Sequence, residues 1–222
     1  MVAKKNKRIP LAKPRDPVKT KAKILTESIR LFASKGYEGT PISAIVKAAQ
    51  VNKRMIYHYF GDKAGLYRAI FVELWGQYKD WMDQLYREHL RKKGSVPQDA
   101  KQLLLMAMEV MCDILSQHSN YVRLLLWEVL EGGMISRSIW TELRGPLFAQ
   151  TEFLIKQAQS RGELDAKLDP AHIIVSLLGA AFFYYAYAPT LEDMLGKHPL
   201  SAAALKERKK QMELLLNNLF KS

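Results

Sequence analysis

A chain of 222 residues, 48% apolar and 25% charged, is long enough for one sizeable core or two modest ones, and its composition excludes a disordered chain. Its formal charge of +12 is unevenly placed: residues 1–60 hold 14 Lys/Arg against three acids, whereas residues 61–222 hold 20 against 19. The single cysteine, Cys112, cannot close an internal disulfide, and the basic N-terminus lacks the apolar run of a secretory signal, so a reducing, cytoplasmic location is expected.

Residues 1–15, with Pro10 and Pro14 among lysines, read as a flexible basic arm. Asp16-Pro17 places an N-cap before a proline at the first helical position. Ile24, Leu25, Ile29, Leu31 and Phe32 then give an apolar face at three- and four-residue spacing until Gly36. Thr40-Pro41 repeats the cap-then-proline signal and opens a short helix through Ile42, Ile45, Val46 and Ala49. A tight connection at Gln50-Val51 leads to Asn52, the N-cap of another short helix ending near Tyr59-Phe60. Gly61-Asp62 breaks it and caps a fourth helix from Lys63 to Lys93-Gly94, with Leu66, Ile70, Leu74, Tyr78, Met82 and Leu85 on one stripe. Further helices are predicted from Pro97 to His118, and from Tyr121 to Leu130, the latter apolar enough to be buried. Another runs from Ser136 to Arg161 with a kink at Gly145-Pro146, and two more cover residues 170–188 and 201–219. No alternating strand pattern and no fixed repeat occurs. The expected class is all-α with about nine helices: a basic arm (1–15), a three-helix head (16–62) and a larger helical body (63–222).

A basic block joined to a near-neutral body implies a polyanion-binding head on a separate scaffold. A solvated tail accounts for residues 1–15 but not for Lys47, Lys53 and Arg54, which lie in patterned sequence. Two short helices joined by a tight turn and supported by a longer one can set a helix in the DNA major groove. In residues 52–60, Ile56 and Phe60 can face the core while Lys53, Arg54, Tyr57 and His58 project from the other side. Lysine and arginine donate to guanine O6 and N7, and tyrosine hydroxyls donate to phosphate oxygens. Tyr59 and Phe60 also fit core aromatics, and His58 taken alone fits a solvated surface histidine.

Three runs carry a more specific signal: residues 36–40 (GYEGT), 45–51 (IVKAAQV) and 56–66 (IYHYFGDKAGL). Together they resemble the tetracycline-repressor-like (TetR) family over roughly residues 17–70; the remainder is similar to it in helix number and length. The resemblance implies a ligand-responsive repressor that binds a palindromic double-stranded operator as a homodimer. It implies base-edge roles for Lys53, Arg54 and Tyr57, and phosphate contacts from Thr40, His58, Tyr59 and Lys63, with Lys19 or Lys21 nearby. Three positions depart from the family pattern. Gln50 stands where the family has its turn glycine, so a left-handed conformation there costs about 1–2 kcal/mol. Met55 replaces a small or hydroxylated residue, and Ser43, on the DNA-facing side, stands where arginine is common.

In the body, residues 172–188 (HIIVSLLGAAFFYYAYA) would span only ~26 Å as a helix, short for a bilayer, and lack adjacent basic anchors. A helix buried between subunits suits them better, Gly179, Ala180 and Ala181 permitting close approach. Leu205, Met212 and Leu219 recur at seven, with Leu215 and Leu216 beside them, as a packing seam requires. The resemblance implies that these two helices pair with their symmetry mates. Met and aromatic stripes at helical spacing mostly make plain core, but the resemblance implies a cavity for a small apolar or amphipathic effector, for which Met108, Met111, Cys112 and Leu115 offer one wall and Trp127, Phe148 and Phe183 the opposite one. The five histidines show no metal-ligand spacing, so neither metal nor cofactor is expected. A helical enzyme without a visible motif, and a peripheral membrane protein using the arm and residues 172–188, are the alternative readings.

Overall fold

The computed structural model of the chain describes residues 16–94, 99–133, 136–139, 141–142 and 145–220. The basic arm at 1–15 and the Pro97 start of the fifth predicted helix lie outside the described residues. Those described fold as α1 (Pro17–Lys35), α2 (Ile42–Ala49), α3 (Lys53–Phe60), α4 (Lys63–Lys93), α5 (Ala100–Gln117), α6 (Ser119–Leu130), α7 (Ser136–Ile139), α8 (Gly145–Ser160), α9 (Pro170–Ala186), α10 (Glu192–Leu195) and α11 (Ala202–Leu219). A 3-10 turn at Ala188–Thr190 joins α9 to α10. The fold is all-α, an N-terminal helix-turn-helix followed by a helical C-terminal part.

The starts are set locally. Asp16, Asn52, Asp62, Asp99, Asp169 and Ser201 each accept a backbone N–H of the first turn they precede, each cap contributing about 1 kcal/mol. The predicted helix from Ser136 to Arg161 is described in two stretches. α7 covers Ser136–Ile139 and α8 covers Gly145–Ser160, residues 140, 143 and 144 between them lying outside the described residues. Pro146 is the second residue of α8.

Three buried clusters organise the packing. The first runs from Ile24, Phe32, Ile45 and Ile56 of the head, through Leu66, Tyr67 and Ile70 of α4, to Leu103 of α5 and Leu124 of α6. Burying each large aliphatic side chain contributes about 1.5–3 kcal/mol. A head this short has too few of them to stand alone, and α4 supplies the rest: Tyr67 meets Phe32 edge-on at 4.9 Å. The second cluster joins α5, α8, α9 and α11 through Leu104, Met108, Ile155, Ile173, Met212 and Leu216. The third gathers Cys112, Leu115, Val122, Tyr184 and Tyr185.

Two body expectations change. At the end of α6, Val129 and Leu130 are each 75% exposed rather than buried, because the helix packs its Tyr121, Val122 and Leu124 face inward and ends at the surface. On α11 the seven-residue seam is divided. Met212 and Leu216 enter the chain's own core, while Leu214 and Leu215 point outward.

The body also grips the end of α1. Arg123 Nε and Trp127 Nε1 both donate to the Ala33 carbonyl, at 2.9 and 3.2 Å. The Glu131 carboxylate accepts from the amides of Tyr37 and Glu38, at 3.2 and 3.3 Å. Gly36 makes this approach possible: a Cβ there would sit 2.5 Å from Glu131 Oε1 and 2.7 Å from the Trp127 ring.

Candidate nucleic-acid interface

The turn between α2 and α3 fixes the angle at which α3 is presented. Gln50 closes α2 in the left-handed conformation, φ 52° and ψ 45°, and is the one non-glycine residue with positive φ among the described residues. The left-handed turn is thus kept here by a residue with a Cβ, at the cost of strain. The Val51 amide donates to the Val46 carbonyl at 3.2 Å, and Lys23 of α1 donates to Gln50 Oε1 at 3.4 Å, tying the turn to the supporting helix. Asn52 Oδ1 then accepts from the Arg54 amide at 2.9 Å and starts α3.

Within α3, Ile56 is the buried anchor. Lys53, Arg54, Tyr57 and His58 are exposed around it, and the Lys53 ammonium lies 5.7 Å from the centre of the Tyr57 ring. Tyr59 is half-buried, its ring 5.1 Å from that of His58. Ser43 is exposed near the start of α2. Lys63, at the start of α4, is half-buried with its ammonium 4.2 Å over the Tyr37 ring. Thr40 is placed otherwise than expected. It is fully buried, and its hydroxyl donates inward to the Gly36 carbonyl at 2.8 Å, so that it braces the α1–α2 turn instead of meeting solvent.

Electrostatics reinforce the geometry. Residues 39–61 carry no acidic side chain, and among the described residues no ion pair involves α2 or α3. The cations of α3 are therefore uncompensated on one face, as phosphate and base-edge recognition requires. The junction with α4 is rigid. Asp62 Oδ1 accepts from the Gly65 amide at 2.6 Å, and a Cβ on Gly65 would stand 2.0 Å from the Phe60 carbonyl oxygen.

The residues proposed for an effector cavity are dispersed. Met108, Met111 and Phe148 line a small apolar cavity of about 70 Å³ with Trp75 and Tyr78 of α4. Cys112 is buried, and desolvation pushes its thiol pKa up despite a hydrogen bond with Tyr185. Leu115 and Trp127 line a different, outer groove beside α6. Phe183 is 51% exposed and stacks on Tyr187 at 4.3 Å. Sequence reading does not reach Lys23, Arg123 or Glu131, and names Trp127 only as a cavity wall; the partners of Arg123, Trp127 and Glu131 lie about ninety residues away along the chain. The one local trace of that clamp is Gly36, which reads only as a helix stop.

Comparison with known proteins agrees with this arrangement. Residues 24–70 match the model of bacterial regulatory proteins of the tetR family, and residues 101–214 match that of the tetracyclin repressor-like C-terminal domain. The HTH-type transcriptional repressor SCO4008 of Streptomyces coelicolor is 28% identical over 181 residues, covering 82% of this chain and 85% of its own. The HTH-type transcriptional regulator RutR of Escherichia coli is 27% identical over 181 residues, covering 79% and 78%. The solved structure of the Bacillus subtilis regulator FadR in complex with stearoyl-CoA shares the fold, with a TM-score of 0.65 at 19% identity over 88% of this chain and 96% of that one. With its helix-turn-helix and its C-terminal helices both matched, the chain belongs to the TetR family of DNA-binding transcriptional regulators.

Proposed function

We propose that the protein is a cytoplasmic, ligand-responsive repressor that binds a palindromic operator as a homodimer. The observation that carries this reading is the α3 face, where Lys53, Arg54, Tyr57 and His58 stand exposed around the buried Ile56 on a helix free of acids. One eight-residue helix reads too few base pairs to define an operator; two of them, ~34–36 Å apart, read successive major grooves of a palindrome. Lys53, Arg54 and Tyr57 would contact base edges, and Ser43, His58, Tyr59 and Lys63 the flanking phosphates.

The second copy would pair through α9 and α11. Val175, Gly179 and Phe183 of α9 and Tyr187 just past its end recur every four residues and are all exposed, and Leu214 and Leu215 of α11 are exposed as well. No helix among the described residues is long and apolar enough to cross a membrane.

The effector would enter the cavity lined by Met108, Met111 and Phe148. Its apolar wall suits an apolar or amphipathic molecule, and the similarly folded FadR was solved with stearoyl-CoA. Trp75 and Tyr78, which share that wall, lie on α4, whose 31 residues make a rod of ~46 Å reaching back to the Phe60–Gly65 junction. Expanding the cavity would tilt α4 and change the separation of the two α3 helices. An effector that weakens operator binding must itself bind the operator-bound dimer more weakly. Selection of random duplex DNA by the full-length protein tests the reading. Enrichment of one palindrome supports it, whereas recovery of unrelated sequences with steeply salt-dependent binding would show a nonspecific polyanion surface.

A further inference from the structure

Outside the α4–α5–α8 cavity, the chain carries a larger groove of about 650 Å³ between α6, the end of α9 and the connection leading to α11. That volume is within the range of small-molecule sites. Leu115, Val122, Leu126 and Leu200 make its walls apolar. Its charged lining groups are few: Arg123 on α6 and Glu192 at the start of α10, with His198 in the connection that follows. Arg123 uses Nε on the Ala33 carbonyl, and among the described residues no ion pair engages its guanidinium. Its terminal nitrogens therefore offer a paired-donor seat for a carboxylate.

We propose that this groove is a second ligand site, specific for a small amphipathic monocarboxylate whose body lies on Leu115, Leu126 and Leu200 and whose anion pairs with Arg123. Glu192 limits the occupant to one negative charge. The site is wired to the head, because Arg123 and Trp127 line the groove and at the same time hold the Ala33 carbonyl at the end of α1. Occupancy and the position of α1 are coupled through one guanidinium, and that coupling is reciprocal. The existence of the site is independent of the operator reading; only its regulatory consequence rests on it.

Calorimetric titration of the full-length protein, without DNA, with 2-naphthoate and with neutral 2-naphthalenemethanol tests the assignment. Naphthoate is expected to bind once per chain and at least tenfold tighter than the alcohol. Leu200→Asp, an exposed substitution that adds a second anion, should weaken naphthoate at least tenfold, and Glu192→Gln should tighten it. Arg123→Gln should bring the two probes to the same affinity. Absence of naphthoate binding, equal affinities for both probes in the wild type, or greater sensitivity to Phe148→Ala than to Leu200→Asp would overturn the site. So would sedimentation showing that Leu200→Asp splits the assembly into monomers, since a second copy would then be the occupant. Failure on these terms leaves the operator reading intact, and failure of operator selection leaves the calorimetry unaffected.

Discussion

Replacing Gly36 with alanine should be among the most damaging single-methyl changes in the molecule. Its backbone, φ 71° and ψ 178°, lies in a region essentially restricted to glycine, and holding another residue there costs about 1–3 kcal/mol. The new Cβ would also stand 2.5 Å from Glu131 Oε1 and 2.7 and 2.9 Å from two Trp127 ring atoms. Both side chains must withdraw, and with them go the hydrogen bonds to Ala33, Tyr37 and Glu38. Part-exposed bonds of this kind contribute toward the lower end of about 0.5–1.5 kcal/mol each. The expected loss is about 2–5 kcal/mol, read by urea unfolding at matched protein concentration, or a fall in Tm of roughly 5–15 °C for a chain of this size. Removing the ring first with Trp127→Ala relieves much of the clash, so the two substitutions should be non-additive by about 1 kcal/mol or more. A Gly36→Ala protein within 1 kcal/mol of wild type, or strictly additive with Trp127→Ala, would refute the clamp between α6 and α1.

Asn52→Ala removes the cap of α3 and should lower stability by about 1 kcal/mol in the same unfolding assay. Gln50→Gly relieves about 1–2 kcal/mol of left-handed strain, offset by about 0.4–1 kcal/mol of added freedom in the unfolded chain, so a small stabilisation is expected and a clear loss would contradict the strain assignment. Burial, helped by the nearby Glu128 and Glu131 carboxylates, raises the Tyr67 pKa well above its ordinary value. The stability this represents is whole below about pH 10 and is lost above it as the unfolded chain ionises first; Tyr67→Phe should flatten the decline between pH 9 and 11 in pH-dependent unfolding. Phe183→Asp, at a half-exposed position on α9, should raise the dimer dissociation constant at least tenfold by sedimentation while leaving the helical circular dichroism unchanged.

The parts of the fold that depend on neighbours in sequence were legible in it. Gly61-Asp62 and Gly94 bound α4 at Lys63 and Lys93 because a cap and a left-handed stop act within one turn. The same local logic finds α1, α2 and α3 and the exposed cations of α3. What depends on distant partners was not. Thr40 reads as a helix cap next to Pro41, yet Pro41 itself occupies the cap position of α2 and the threonine hydroxyl turns back to Gly36. The seven-residue repeat on α11 cannot say whether Met212 meets a second copy or α5 of its own chain, and it is the latter environment that buries it. The effector residues scatter for the same reason: Met111 and Leu115 are four apart on α5 but line different spaces, the inner cavity and the outer groove, set by which helix packs on each face.

The central claim, that α3 reads base sequence, is tested most directly by titrating the palindrome recovered from random duplex DNA against an unrelated duplex, for the wild type and for Lys53→Ala, Arg54→Ala and Tyr57→Ala. A preference of 10³ or more for the palindrome at physiological salt is expected, with each substitution costing about 1–3 kcal/mol on the palindrome and far less on unrelated DNA. Equal losses on both duplexes, or a palindrome bound no tighter than unrelated DNA, would contradict it.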